Sequence, residues 1–272
     1  MIAPAVLLDA GTLHKNLNDP HLLLIDLCSP ESYACGHIPG AIHLDPARLQ
    51  RGHGPVPNKL PTVEQLCELF SQLGLQPESH VVAYDDQMGA LAGRLLWTLD
   101  IVGHPQSAVL NGQLGAWTAA GLGLQSQPNH PTPSVFCASI DPSLIADKHY
   151  LLQHLGDTNI AIWDARSTAE YSGEKIINAR KGGHIPGAKN FEWTQSLISQ
   201  DDWRLQDTSS LLKQLSSLGI SPEKEVITHC QTHRRSGLTY LVAKALGYPR
   251  IRCYDGSWFE WGNDPDTPVE TD

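Results

Sequence analysis

Gly36-His37-Ile38-Pro39-Gly40-Ala41 recurs letter for letter as Gly183-His184-Ile185-Pro186-Gly187-Ala188. Six identical residues in a row are not an accident of composition, and the surroundings repeat in the same order. An apolar run ending in aspartate precedes each copy, Leu22-Leu23-Leu24-Ile25-Asp26 and Ile160-Ala161-Ile162-Trp163-Asp164. A second run follows each, Val81-Val82-Ala83-Tyr84-Asp85 and Val226-Ile227-Thr228-His229-Cys230. Near each end, Asn111-Gly112 with Trp117 answers Asp255-Gly256 with Trp261. The offset between matching features runs from 138 (Asp26 to Asp164) to 147 residues (Gly36 to Gly183). Features that recur in order at a near-constant offset mark a duplicated unit, so the chain reads as two copies of one fold.

Between the copies, Gln125-Ser-Gln-Pro-Asn-His-Pro-Thr-Pro-Ser134 carries three prolines among small polar residues. That composition predicts an extended, semi-rigid linker, giving a first domain over 1–124, a linker over 125–139 and a second domain over 140–272. In the first half the apolar runs predict strands over Leu22–Leu27, Ala41–Leu44, Val81–Asp85 and Ala108–Leu110. Helices are predicted over Thr62–Leu73, with Thr62 as cap, and over Gly89–Val102. In the second half, Ser209–Leu218 and Ser236–Leu246 show helical spacing and each stops at a glycine, Gly219 and Gly247. Near-continuous apolar strands alternating with helices predict an α/β fold with a mainly parallel sheet in each domain.

The chain has 272 residues, 41% of them apolar, and a net charge of −10. Its length is near the ceiling for one core, which agrees with two domains. The acidic balance argues against a nucleic-acid partner. The absence of a run of about 20 apolar residues argues against a membrane span, and Ala90–Leu96 is broken by Arg94. The N-terminal Met1-Ile-Ala-Pro-Ala lacks the basic stretch of a secretory signal. Six cysteines, Cys28, Cys35, Cys67, Cys137, Cys230 and Cys253, form no C-x-x-C pair and are too sparse for a disulfide scaffold. Reduced thiols, a cytoplasmic location and a monomer are expected.

Ligands of parallel α/β sheets sit where a strand runs into the next helix, and there the halves differ. The second half reads Cys230-Gln231-Thr232-His233-Arg234-Arg235-Ser236-Gly237. A cysteine facing a helix N-terminus has its thiolate stabilised by unpaired N–H groups and the helix dipole. Paired arginines and flanking histidines are expected to depress its pKa further, making Cys230 a nucleophile and the loop an anion receptor. His229 and His233 are each either acid–base groups or scaffold hydrogen-bonders, whereas His37 and His184 read as turn and packing residues. In the first half the matching loop is Asp85-Asp86-Gln87-Met88-Gly89, with a carboxylate in place of the thiol and no cation. The first domain is therefore expected to be catalytically silent.

The two Gly-His-Ile-Pro-Gly-Ala segments, the strand-end Cys230 before a cationic loop and the C-terminal Gly256-Ser257-Trp258-Phe259-Glu260-Trp261 resemble the rhodanese sulfurtransferases. The resemblance covers nearly the whole chain and is to the bacterial tandem-domain form. It implies two rhodanese-like domains, an inactive first and an active second, with the site at their interface and the catalytic cysteine at Cys230. It also implies a ping-pong reaction: Cys230 takes the sulfane sulfur of thiosulfate as a persulfide and passes it to cyanide, another thiol or a protein acceptor. Gln231, Thr232, His233, Arg234 and Arg235 would bind substrate, without metal or organic cofactor. A 3-mercaptopyruvate sulfurtransferase is the first alternative; animal and mercaptopyruvate-type relatives carry a different loop and place an arginine near the position of Glu170 or Tyr171. Lys175, Arg180 or Lys181 would have to replace it here. A protein-tyrosine phosphatase, or the phosphatase type that shares the rhodanese fold, is the second enzymatic alternative, but it has five residues between Cys and Arg where this chain has four. A persulfide-carrying or regulatory module is the non-enzymatic one.

Overall fold

The predicted strands pair in parallel within a five-stranded and a four-stranded sheet. The computed structural model describes residues 6–271, so the Met1–Ala5 part of the signal-peptide reading and Asp272 lie outside the described residues. The first domain runs β1 (Leu7–Leu8), α1 (Ala10–Lys15), β2 (Leu22–Asp26), α2 (Pro30–Cys35), β3 (Ile42–His43), α3 (Val63–Gln72), β4 (His80–Tyr84), α4 (Ala90–Ile101), β5 (Ser107–Leu110) and α5 (Gln113–Ala119). The second runs α6 (Lys148–Gln153), β6 (Ile160–Asp164), α7 (Thr168–Ser172), β7 (Lys189–Asn190), α8 (Thr208–Ser217), β8 (Glu225–His229), α9 (Arg235–Ala245), β9 (Ile251–Cys253) and α10 (Ser257–Trp261). The sheet orders are β1-β5-β4-β2-β3 and β7-β6-β8-β9. A parallel bridge from Ile145 to Cys253 stands in the second sheet where β1 stands in the first. The two orders therefore match, as the repeated sequence requires.

Two of the predicted helices, α3 and α8, start at side-chain caps. Thr62 and Gln65 close a reciprocal capping box on α3, and Asp207 caps α8, which begins at Thr208, one residue before its predicted start. Residues 125–139 form no helix; Gln125 bridges His37, and further on the segment follows α3, tied by Ser134 N–H to the Ser71 carbonyl (2.9 Å) and Phe136 N–H to Ser71 Oγ (2.9 Å). The histidines of the repeated hexapeptide are packing residues in both domains. His37 stacks on Tyr33 at 3.8 Å and His184 on Tyr171 at 3.7 Å, each with Nδ1 on its partner's carbonyl oxygen.

One apolar cluster spans both domains, running from Leu91 and Leu95 of α4 to Leu238 and Leu241 of α9. Both helices are buried nearly all round, since each is covered by its own sheet and by the other helix. Their axes approach at Gly93 and Gly237: a Cβ at Gly93 would lie 2.2 Å from the Gly237 carbonyl oxygen, and one at Gly237 2.3 Å from that of Ala90. No methyl group fits there without parting the helices. Gly93→Ala is expected to cost about 3 kcal/mol, a fall of roughly 10 °C in thermal midpoint by calorimetry. An unchanged midpoint would show that the helices do not touch as described.

The domains also brace each other reciprocally. Leu60 N–H of the first reaches Asp255 Oδ2 (2.7 Å) beside α10, and Leu205 N–H of the second reaches Asn111 Oδ1 (3.0 Å) beside α5. The segment around Asn58 thus lies against the helix next to the cysteine loop.

Candidate active site

Strand β8 delivers Cys230 to the mouth of α9, where its side chain is 1% exposed. Its backbone is clamped by α10: Trp258 N–H donates to the Cys230 carbonyl (3.0 Å) and Phe259 N–H to that of Gln231 (2.9 Å). The Cys230 N–H reaches Ser257 Oγ at 3.4 Å. His233 is left-handed (φ 55°), an unusual conformation for a side-chain-bearing residue. It folds the loop back so that successive N–H groups line one concavity.

Burial pushes the Cys230 thiol up, yet the net shift is downward. The Arg235 charge, the Ser236 hydroxyl and the N–H groups of Ser236 and Thr232 bond or face the sulfur and together outweigh the desolvation. The thiolate form of Cys230 is therefore favoured over that of an ordinary cysteine. Arg235 is held in turn by Glu170, which accepts both guanidinium nitrogens at 2.6 and 2.8 Å. Glu170 closes the capping box of α7 with Ser167, and burial, which raises its pKa, is outweighed by Arg235 so that it stays ionised.

The residues named from sequence are brought together unequally. Thr232 and Arg235 act on the sulfur directly. Gln231 donates its amide to the Ile177 carbonyl (2.6 Å), fastening the loop to the segment inserted before Gly183. Arg234 is exposed at the N-cap of α9. His233 turns away into the domain interface, with Nδ1 on Ser236 Oγ (2.6 Å) and its ring edge-on to Trp97 at 4.5 Å. The expectation that histidines add positive charge is corrected: burial lowers the pKa of both His229 and His233, so both are neutral near pH 7. His229 is a scaffold group, its Nδ1 3.2 Å from the Cys230 carbonyl and its Nε2 3.6 Å from Asp164.

Lys181 does not replace the family arginine either, because its ammonium is bound by the Pro265 and Thr267 carbonyls. Lys175 and Arg180 are exposed. Ser236 and Glu170 were missed as site residues. The Ser167-x-x-Glu170 spacing signals a cap, and nothing in it points to Arg235, 65 residues away.

The first domain keeps the same cradle and fills it with its own carboxylate. Asp85 accepts the N–H groups of Gln87 (2.8 Å), Gly89 (2.8 Å), Leu91 (2.8 Å) and Ala92 (2.9 Å). Gln87 and Leu91 stand 145 residues before Thr232 and Ser236, the same offset that separates Asp85 from Cys230. Met88 repeats the left-handed turn of His233, with φ 59°.

A parallel sheet repeated twice, with a stabilised thiolate at one helix mouth, defines a two-domain α/β protein built for thiol chemistry. The rhodanese-like domain model matches residues 9–120 and 147–264, and the chain belongs to that family. It is 49% identical over 265 residues to a thiosulfate sulfurtransferase of Azotobacter vinelandii, covering 97% of both chains. It is 47% identical to a thiosulfate sulfurtransferase of Pseudomonas aeruginosa, again over 97% of both. Among solved structures, SseA from Escherichia coli, described as a 3-mercaptopyruvate sulfotransferase with the rhodanese fold, superposes with a TM-score of 0.83 at 27% identity, covering 93% of this chain and 99% of that one. Among the described residues no helix is long and apolar enough to cross a membrane.

Proposed function

We infer that the protein is a thiosulfate sulfurtransferase whose nucleophile is Cys230. The observation that carries this is the buried Cys230 at the mouth of α9, whose thiol pKa is lowered by the Arg235 charge and the polar hydrogens of Ser236 and Thr232. The thiolate attacks the outer sulfur of thiosulfate. The S–S bond of the donor breaks, its electron pair leaves with sulfite, and Cys230 becomes a persulfide. Cyanide or a thiol then attacks the terminal sulfur, and the electron pair of the new S–S bond returns to Cys230 as thiolate. The N–H groups that hold the thiolate are placed to hold the persulfide anion and the charge that develops during transfer.

The first domain is read as silent, since Asp85 occupies the place of both nucleophile and ligand. Residues 125–139 are read as the linker between the domains. One chain supplies the whole site, which supports a monomer. Cys230 must remain reduced to act, which supports a cytoplasmic location. Four residues between Cys230 and Arg235, where phosphatases place five, support sulfur rather than phosphate as the bound group.

Intact-mass measurement after thiosulfate treatment tests the reading. A gain of one sulfur, removed by cyanide with release of thiocyanate, is expected. Parallel rates with 3-mercaptopyruvate and p-nitrophenyl phosphate complete the test. Faster turnover of either one than of thiosulfate would overturn the donor assignment.

A further inference from the structure

We propose that Arg94, which belongs to the domain without a catalytic cysteine, is a positioning residue of the catalytic loop in the other domain. This rests on the reading of Cys230 as nucleophile. Arg94 lies on α4, is 2% exposed, and has no carboxylate in hydrogen-bond contact. Its guanidinium is spent on backbone carbonyls instead. Nη1 donates to that of His233 (3.1 Å), and Nη2 to those of Leu49 (2.8 Å) and Asn58 (3.0 Å). A buried cation bonded to three carbonyls, one of them across a domain interface, is costly for stability alone.

Two of the three carbonyls, those of His233 and Asn58, lead to the cysteine loop. His233 is its left-handed residue, and pinning that carbonyl fixes the turn that aims the following N–H groups at the sulfur. Asn58 in turn donates to the carbonyls of Asp255 (2.6 Å) and Gly256 (3.3 Å), at the start of the helix that clamps Cys230 and Gln231. One guanidinium thus braces the loop from beneath and the segment that supports its flank.

The charge bears on the sulfur as well. Burial pulls the pKa of Arg94 down to about 10, against the opposing effects of Asp255, Cys253 and Cys230, so it is charged at neutral pH and feels the thiolate. Arg235 from α9 is the main charge acting on Cys230, and Arg94 from α4 and the un-ionised thiol of Cys253 from β9 feel its thiolate more weakly. His229 and His233 beside it are neutral, and Asp255 faces Arg94 from the second domain.

Two variants separate geometry from charge. Arg94→Lys keeps the charge but not the fork that serves several carbonyls at once. Arg94→Met loses both. With thiosulfate and cyanide, kcat is expected to fall about tenfold in the lysine variant and about a hundredfold in the methionine variant. The midpoint of the pH dependence of Cys230 alkylation by iodoacetamide, followed by intact mass, should stay near wild type in the lysine variant. It should rise in the methionine variant, by less than in Arg235→Met. If Arg94→Met does not unfold cooperatively, the tenfold kcat loss in Arg94→Lys carries the test. A merely structural role would lower the thermal midpoint and leave kcat and the alkylation profile of folded protein unchanged, which would overturn the assignment. Wild-type protein that takes no sulfur at Cys230 would overturn the underlying reading instead.

Discussion

Cys230→Ala is expected to take up no sulfur from thiosulfate and to lose activity by at least about 10⁴-fold. The size follows from the absence of a substitute. Burial and the neighbouring Asp26 push the Cys28 thiol up, and burial pushes that of Cys253 up further from ionisation. Cys35 and Cys137 are exposed, and the Cys67 sulfur accepts the Ala138 N–H (3.1 Å) on the linker side of α3. None of these stands at the mouth of α9. The Asp85 cradle offers no second route, since its four N–H groups are already taken by a carboxylate. Loss of one sulfur atom from a small buried side chain leaves the clamps from Trp258 and Phe259 intact, because they hold backbone carbonyls. The variant is therefore expected to unfold near the wild-type temperature, separating loss of chemistry from loss of fold. Sulfur incorporation that survives in Cys230→Ala would place the nucleophile elsewhere.

What the sequence made legible was what a local pattern encodes. The duplicated hexapeptide and its flanking runs revealed two domains because identical letters need no interpretation, and the long strands β2, β4, β6 and β8 followed from unbroken apolar stretches. The helices α1, α2, α6, α7 and α10 span only five or six residues, too few turns to print a period. Cys230 was legible because its neighbours in the chain are also its neighbours in space. Glu170 and Arg94 were not, since each meets the loop from a distant stretch of chain. Arg94 stood out only as the charge interrupting Ala90–Leu96, and its reason for being there is a carbonyl 139 residues away. His233 and Arg234 show the opposite error. Their place in the motif suggested convergence on the sulfur, but the left-handed turn at His233 sends its ring toward Trp97 and leaves Arg234 exposed.

Of the two loop arginines, only Arg235 faces the thiolate, and Arg235→Met is expected to give the second-largest loss. Burial opposes ionisation of Cys230, and the Arg235 charge is the largest contribution against it. Removing that charge raises the thiol pKa, and once the pKa lies above neutral pH each further rise of one leaves about tenfold less thiolate. Loss of stabilisation for charge moving onto the persulfide adds to this, for a total near 10²–10³-fold in kcat/KM. The sign of the pH dependence is fixed: activity should recover as pH rises through the new, higher pKa, so the profile lies to the alkaline side of wild type. The substitution also strands Glu170, 3% exposed, without its bidentate partner, which costs stability of about 3–5 kcal/mol. Arg235→Met combined with Glu170→Gln removes both charges and is expected to regain most of that stability while keeping the shifted pH profile. Recovery of wild-type activity at neutral pH in the double variant would mean that Arg235 serves only as the counter-ion of Glu170. A profile that stays shifted in a stable double variant shows that its charge acts on the sulfur.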